Sequence, residues 1–319
     1  MIANEPASYE VLGAHKPGAG RYAPSPSGDL HLGNLRTALV AFLAARGTCR
    51  DFLLRIDDID RARDKGFAER QLADLRRLGI VWELPVMKQS ERDHTYYAAL
   101  QTLREQDRVY ECVCSRKDIL TAPTAPHAPP GAYPGTCRTL STAALQRAKA
   151  KIAPRLPALR LKVAASERQL CFTDLIKGRV CAPIDDFVLR RGDGVYAYNL
   201  ATVVDDAAAG VDQVVRGDDL ASSTPRQILL ARLLNAPAPS YAHVPLVVNA
   251  RGVRLAKRDG AVTLAQLREQ GVGTAEVLQM LLLSLGMAAD PLATDALKAA
   301  ACDFAFHKLS RDPFVFKGF

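Results

Sequence analysis

The segment at residues 24–34, PSPSGDLHLGN, most constrains how this chain can fold. Its prolines restrict the backbone, and its glycines permit close approach to another group. Apolar residues then recur at helical spacing from Gly33 until Gly47 ends the pattern, and residues 52–56 have the composition of a buried strand. The sequence therefore predicts a tight turn that enters a helix directly, followed by a strand.

Further helical and strand-like segments follow along the chain. A second helix is predicted with an inward face made of Phe67, Leu72, Leu75 and Leu78 and with Asp74 on or near its wet side. Residues 187–204 are strand-like, and helices are predicted at 225–234, 264–267 and 277–285. This alternation favours a parallel sheet covered on both faces, with ligands at the carboxyl ends of its strands.

Charge and cysteine content narrow the class of protein. Lysine and arginine exceed aspartate and glutamate by 42 to 34, a net charge of +8 that permits a polyanionic partner without requiring one. The richest apolar run, residues 278–287, is far below the ~18 residues of a membrane span, so no membrane association is expected. Seven cysteines fit a reducing compartment and a metal site better than a disulfide framework. Four of them are expected to be small core side chains: Cys49, Cys171, Cys181 and Cys302.

The turn at residues 24–34 is suited to triphosphate binding. The new helix would offer unpaired backbone N–H groups to an anion, and His31 would add a side-chain donor. The simpler interpretation is a Pro/Gly loop with Asn34 as a helix cap and His31 as an ordinary surface side chain.

Together with residues 21–28, RYAPSPSG, this turn resembles the HIGH signature of class I aminoacyl-tRNA synthetases in its glutamate-type form. The resemblance implies an α/β, Rossmann-like catalytic domain in which an amino acid carboxylate attacks ATP to give an aminoacyl-adenylate. It also implies that His31, Gly33 and Asn34 bind ATP.

The same resemblance implies a glutamate pocket. A desolvated dicarboxylic amino acid needs a fixed guanidinium and an acidic group. The implied contacts are Arg21, Tyr22, Ala23, Pro24, Ser25, Asp57, Tyr198 and Arg216. Asp57 would hold the α-ammonium, although family members usually carry glutamate there, and Arg216 would bind the side-chain carboxylate. The alternative is an aromatic strand with an exposed arginine.

Residues 254–260, RLAKRDG, resemble the KMSKS signature, with Ala256 in place of a serine. The resemblance implies that Lys257 and Arg258 bind ATP and that Lys257 is catalytic together with His31. A lysine there would stabilise the departing pyrophosphate. Taken alone, this segment is better explained as a solvated basic turn, and its position after the other motifs favours the KMSKS interpretation.

Cys112, Cys114 and Cys137 stand close together around a proline-rich stretch. Three soft ligands favour one structural zinc ion. Tyr133 is assigned as the fourth ligand because glutamyl-queuosine-type enzymes show this Cys-x-Cys, Tyr-x-x-x-Cys pattern. His127 or water is the alternative.

From Arg21 to about Gly260 the chain resembles the glutamyl-Q tRNA(Asp) synthetases, truncated relatives of glutamyl-tRNA synthetase. The implied division is a flexible leader (1–18), a discontinuous catalytic domain (19–108 and 187–250), a zinc-containing insertion (109–186), and the lysine loop with C-terminal helices (251–319). About sixty residues after the lysine loop leave no room for an anticodon-binding domain.

The activity implied by this resemblance is tRNA-independent activation of L-glutamate with ATP, assisted by Mg, and transfer to queuosine in tRNA(Asp). We expect a cytoplasmic monomer. Three alternatives stay open: a glutamyl-tRNA synthetase-like enzyme that charges a tRNA 3′ end, a catalytically inactive zinc RNA-binding module, and a nucleotidyltransferase that uses another carboxylate.

Overall fold

The structure is a computed structural model that describes residues 18–60, 66–121, 132–253, 255, 262–287 and 295–318. The predicted leader before Gly18, His127, Lys257 and Arg258 lie outside the described residues. None of the described helices is long and apolar enough to cross a membrane.

Twelve strands and ten α-helices alternate along the described residues. The strands are β1 Ala19–Tyr22, β2 Asp51–Ile56, β3 Glu83–Lys88, β4 Val109–Cys112, β5 Ala158–Leu161, β6 Gln169–Asp174, β7 Gly178–Pro183, β8 Val188–Arg190, β9 Val211–Gly217, β10 Ser240–Val244, β11 Val247–Val248 and β12 Phe314–Val315. The helices are α1 Leu32–Gly47, α2 Phe67–Arg77, α3 Asp93–Glu105, α4 Arg116–Thr121, α5 Thr142–Ile152, α6 Tyr198–Ala208, α7 Thr224–Leu233, α8 Leu264–Glu269, α9 Thr274–Leu283 and α10 Ala296–Asp303.

A seven-stranded sheet forms the centre of the molecule, in the order β3-β2-β1-β9-β10-β6-β7. Neighbouring strands are parallel except for the antiparallel pair β6 and β7. Val215 packs in a core with α1 and α9, whereas its neighbour Val214 packs in another core with Ile228 of α7. Because successive strand residues face opposite sides, the sheet is buried on both faces, and the predicted α/β architecture is confirmed.

The sheets do not divide at the predicted boundary between 186 and 187. Strands β6 and β7 come from the predicted insertion but extend the central sheet, while β8 pairs with β5 in a separate three-stranded sheet with β4. The prediction that residues 187–204 are strand-like is right for β8 and wrong from Tyr198 onward, where α6 begins. The residues of α6 from Leu200 to Asp206 are all buried, and the period of such a run does not distinguish a strand from a helix.

Four cysteines differ from their prediction as small core side chains. Cys171 and Cys181 stand directly opposite each other in the β6–β7 hairpin and form a disulfide, while Cys49 and Cys302 are exposed thiols. Alternation along the hairpin places both half-cystines on its exposed side. This disulfide does not agree with the prediction that all seven cysteines are reduced or bind metal.

One polar residue of α2 is also buried contrary to expectation. Asp74 is predicted on or near the wet side of the helix but is 6% exposed, and its carboxylate accepts a hydrogen bond from Arg77 at 2.8 Å. Burial raises the pKa of Asp74, with Arg77 acting in the opposite direction.

Candidate active site

The carboxyl ends of β1 and β9 meet at one edge of the central sheet. The turn that follows β1 and the end of β9 line a cavity of about 380 Å³ there. Its lining includes most of the residues implied for glutamate and ATP: Arg21, Tyr22, Ala23, Pro24, Ser25, His31, Gly33, Asn34, Tyr198 and Arg216. Parallel neighbouring strands explain this convergence, because their carboxyl ends lie at the same edge.

His31 is the N-cap of α1, and this role fixes its ring. Its Nδ1 accepts hydrogen bonds from the backbone N–H groups of Gly33 (3.1 Å) and Asn34 (3.3 Å). Asn34 Oδ1 in turn accepts from the His31 backbone N–H, which completes a capping box. An imidazole whose Nδ1 accepts carries its proton on Nε2, so that atom is the donor.

The first backbone N–H groups of α1 are already hydrogen-bonded within the protein, which differs from the prediction. The N–H of Leu32 is bound to the Val262 carbonyl, and those of Gly33 and Asn34 are bound to His31. The expectation of unpaired N–H groups at this turn is wrong for these three residues. The His31 ring lines the cavity, and its proton is on Nε2.

Gln71 of α2 holds the proline-containing turn in place. Its Nε2 donates to the carbonyls of Ser25 (3.1 Å) and Gly28 (2.6 Å), and the residue is 1% exposed. The sequence does not indicate this role of Gln71, because a polar residue on an amphipathic helix is ordinarily expected on its solvent side. Its contacts with two carbonyls of one turn fix the path of the backbone into α1.

Arg216 is a buried cation whose hydrogen-bond partners are all neutral. It is 5% exposed and lines the cavity. Its guanidinium donates to His243 Nε2 (3.1 Å), Gln227 Oε1 (2.8 Å), Thr224 Oγ1 (2.7 Å), the Tyr198 hydroxyl (3.3 Å) and the Leu220 carbonyl (3.4 Å). No carboxylate in the described part of the chain lies within salt-bridge distance of it. A buried charge without a counter-ion favours an anionic ligand.

Arg21, by contrast, is neutralised within the protein. It forms two hydrogen bonds of 3.2 Å to the Asp206 carboxylate, which also accepts from Arg55 at 2.6 Å. Arg55 bonds Asp57 Oδ1 at 2.6 Å, and Asp205 Oδ2 lies 3.8 Å from its Nε. With Arg92, which pairs with Asp205, three guanidinium groups balance three carboxylates beside the cavity.

Within this ion network, the pKa values of Asp57 and Asp206 are shifted in opposite directions. Burial raises the pKa of Asp57, which has one close guanidinium, that of Arg55. Burial alone would also raise the pKa of Asp206, but Arg21 and Arg55 together hold it below its ordinary value. Burial alone would lower the pKa of Arg55, but Asp57 and Asp206 hold it well above its ordinary value. Asp57 is 9% exposed and is absent from the cavity lining among the described residues.

Three cysteines and a tyrosine converge between β4 and the segment at residues 132–140. The sulfur atoms of Cys112, Cys114 and Cys137 all lie within 4.8 Å of one another. The Tyr133 hydroxyl lies 3.4 Å from Cys112 Sγ and 4.0 Å from Cys114 Sγ. Ligands on a tetrahedral zinc ion with ~2.3 Å bonds stand about 3.8 Å apart, so these four groups fit one metal ion.

Comparison with known proteins agrees with this geometry. The sequence pattern of the family described as "tRNA synthetases class I (E and Q), catalytic domain" matches residues 19–295. The chain belongs to this family. Class I synthetases of this kind are ligases, so the predicted enzyme class and its Rossmann-like fold are confirmed.

Several relatives carry the more specific name that the sequence resemblance indicated. A glutamyl-Q tRNA(Asp) synthetase of Nocardia farcinica is 56% identical over 298 residues, covering 93% of each chain. One from Symbiobacterium thermophilum is 46% identical over 85% of this chain and 88% of its own. A glutamate--tRNA ligase 2 of Alkalilimnicola ehrlichii is 39% identical over 91% of this chain and 66% of its own.

A solved structure shares the fold of this class I synthetase. The glutamate-tRNA synthetase of Elizabethkingia anophelis superimposes with a TM-score of 0.79, covering 95% of this chain and 68% of that one at 24% identity. This likeness confirms the catalytic-domain architecture.

Proposed function

We propose that this class I synthetase activates L-glutamate with ATP in the absence of tRNA and transfers glutamate to queuosine of tRNA(Asp). The observation that carries the first half is Arg216, a buried guanidinium at the cavity with neutral partners only. A carboxylate of the amino acid substrate would supply the missing negative charge, and the fixed guanidinium would distinguish glutamate from glutamine.

The remaining glutamate contacts come from the turn after β1. In this proposal Arg21, Tyr22, Ala23, Pro24 and Ser25 surround the backbone of the amino acid, and Tyr198 lies beside Arg216, to which it is hydrogen-bonded. Asp57 contacts Arg55 through Oδ1, so Oδ2 is the oxygen that would approach the α-ammonium.

Adenylate formation follows from this placement. A glutamate α-carboxylate oxygen attacks the α-phosphorus of ATP, the P–O bond to the β-phosphate breaks, and pyrophosphate leaves. His31 would donate from Nε2 to the phosphates beside Gly33 and Asn34, and Lys257 and Arg258 would neutralise the β- and γ-phosphates. Bound Mg would supply further positive charge to the same phosphates. Positioning of two bound substrates then supplies much of the rate.

The acceptor proposal is supported by the names of the relatives. Those that cover most of both chains are named glutamyl-Q tRNA(Asp) synthetases. A net charge of +8 agrees with RNA phosphate contacts in the cytoplasm. The relative named glutamate--tRNA ligase 2 supports a second candidate, charging of a tRNA 3′ end.

Zinc is the proposed occupant of the cysteine cluster. Cys112, Cys114, Tyr133 and Cys137 would hold it as a closed site that fastens the segment after the proline-rich stretch to β4. When bound, the ion supplies structural cross-links and takes no part in the reaction.

Two assays test the proposal in sequence. The first assay measures glutamate-dependent exchange of labelled pyrophosphate into ATP without tRNA, which tests activation. We expect exchange with glutamate but not with glutamine or aspartate. Absence of exchange with glutamate would refute the proposal. Labelled glutamate is then offered to tRNA(Asp) that carries or lacks queuosine, with each form prepared with and without its 3′-terminal adenosine. Label that requires queuosine and survives loss of the adenosine supports the proposed acceptor, whereas label that requires the adenosine supports 3′-end charging.

A further inference from the structure

A buried chain of polar side chains leads from β6 through β10 to Arg216. It consists of Asp174 at the end of β6, His243 in β10 and Thr224 at the start of α7. Asp174 is 2% exposed and His243 and Thr224 are fully buried, and none of the three belongs to the cavity lining. Side chains this deeply buried act on a ligand only through Arg216.

We propose that Asp174 and His243 are positioning residues that orient the Arg216 guanidinium and thereby determine the selection of glutamate over its neutral analogue, glutamine. The inference rests on the proposed function, since it assigns a cause to the specificity of that same site.

Three backbone N–H groups hold the Asp174 carboxylate in place, in addition to its contact with the His243 ring. Its carboxylate accepts backbone N–H groups from Ile176 (3.0 Å), Lys177 (2.9 Å) and His243 (3.1 Å). Its Oδ2 also lies 2.6 Å from His243 Nδ1. Burial alone would raise the pKa of Asp174, but its hydrogen bonds with His243 and these N–H groups hold it below its ordinary value. An ionised carboxylate requires the proton of the imidazole to be on Nδ1.

This tautomer makes His243 Nε2 an acceptor. Arg216 Nε lies 3.1 Å from it and can only donate, and Thr224 Oγ1 lies 3.1 Å from it. Thr224 donates its hydroxyl proton to Nε2 and accepts from Arg216 Nη2 at 2.7 Å. Two hydrogen bonds on one side, to His243 and to Thr224, therefore fix the plane of the Arg216 guanidinium. The ionised Asp174 determines which atoms donate and which accept in both of them.

The imidazole also keeps the charge of Arg216 available. A carboxylate in direct contact with Arg216 would neutralise it, as Asp206 does for Arg21. Here one neutral ring separates Asp174 from the guanidinium. Burial lowers the pKa of His243, with Arg216 acting in the same direction and Asp174 in the opposite one, so the ring stays neutral. The arrangement fixes the orientation of the Arg216 guanidinium without supplying a counter-ion to it.

The test compares two variants of similar size in pyrophosphate exchange. His243→Leu removes the acceptor, whereas His243→Gln can return one through Oε1. Ser240→Ala, at the exposed start of the same strand, serves as the control. We expect His243→Leu to raise the KM for glutamate about 10-fold or more and to reduce the glutamate-to-glutamine ratio of kcat/KM similarly, with the KM for ATP within about 2-fold. His243→Gln should recover most of the loss.

Each outcome is decisive. No exchange by the wild-type enzyme with glutamate would refute the proposed function, and this inference with it. If the wild-type enzyme exchanges but His243→Leu keeps the glutamate KM and the discrimination, only the positioning role is refuted. Equal losses toward glutamate and ATP in both His243 variants would indicate a merely structural role and would also overturn it. The circular dichroism spectrum and ATP affinity of each variant confirm its folded state.

Discussion

Arg55→Met should unfold more readily than any exposed ion-pair variant of this protein. Arg55 is 4% exposed, lies 2.6 Å from both Asp57 and Asp206, and is 3.8 Å from Asp205. Its removal leaves three buried carboxylates with two guanidinium groups. Breaking a buried pair from one side costs roughly 3–5 kcal/mol, because a charge remains in the interior without compensation.

Urea denaturation followed by circular dichroism measures the loss in free energy of unfolding. Arg46→Met is the matched control, since Arg46 pairs with Glu83 in a salt bridge whose side chains are 30% and 34% exposed, and it should cost about 1 kcal/mol or less. Adding Asp57→Asn to Arg55→Met restores the charge balance, so the double variant should be more stable than the sum of the single losses by about 1 kcal/mol or more. Equal effects of Arg55→Met and Arg46→Met would refute the importance of the network.

Four further predictions concern the sites. Arg216→Gln should raise the glutamate KM about 100-fold in pyrophosphate exchange, with the ATP KM nearly unchanged, because charged hydrogen bonds contribute roughly 1.5–3 kcal/mol each; Arg226→Gln, whose cation is already paired with Asp185, should stay within about 2-fold. Lys257→Ala should slow adenylate formation while glutamate affinity persists, and equal loss of both would contradict its assigned role. Cys137→Ser should abolish stoichiometric zinc, measured by plasma emission, and lower the melting temperature, whereas unchanged zinc content would exclude this ligand set. Because the pKa of Asp206 is lowered in the folded state, its stabilisation is present above pH ~4 and is lost on further acidification; Asp206→Asn should therefore show a flatter dependence of stability on pH between about 5 and 3.

Local sequence patterns correctly predicted the helix and the strand next to the cavity and the cluster of cysteines. The helix begun by Leu32 and the strand that ends at Ile56 were expected from periodicity, and the cysteine cluster was expected from spacing. These features depend on neighbours in sequence, which a pattern records directly. The glutamate and ATP contacts themselves, the domain boundaries and the monomeric state remain predictions.

Features that depend on distant neighbours were missed. Nothing near Arg216 in sequence indicates that Asp174 and His243 stand behind it, because β6 and β10 become neighbours only in the folded sheet. The disulfide had a local signal: Cys171 and Cys181 lie at equal distances from a turn that ends at Gly178, whose φ of +79° favours glycine. The assignment of Asp57 to the substrate ammonium comes from the family resemblance and stays a prediction, and the contact of Asp57 with Arg55 is visible only in the structure.

Because His31 is the helix cap of α1, replacing it with a side chain that cannot cap removes two properties at once. Alanine would delete the proposed phosphate donor and would also leave the first turn of α1 without its acceptor, so the loss of turnover would combine chemistry with fraying of the helix that carries Gly33 and Asn34. Asparagine, a good N-cap without an imidazole, separates the two. Comparing the alanine and asparagine variants therefore separates loss of the helix cap from loss of the imidazole.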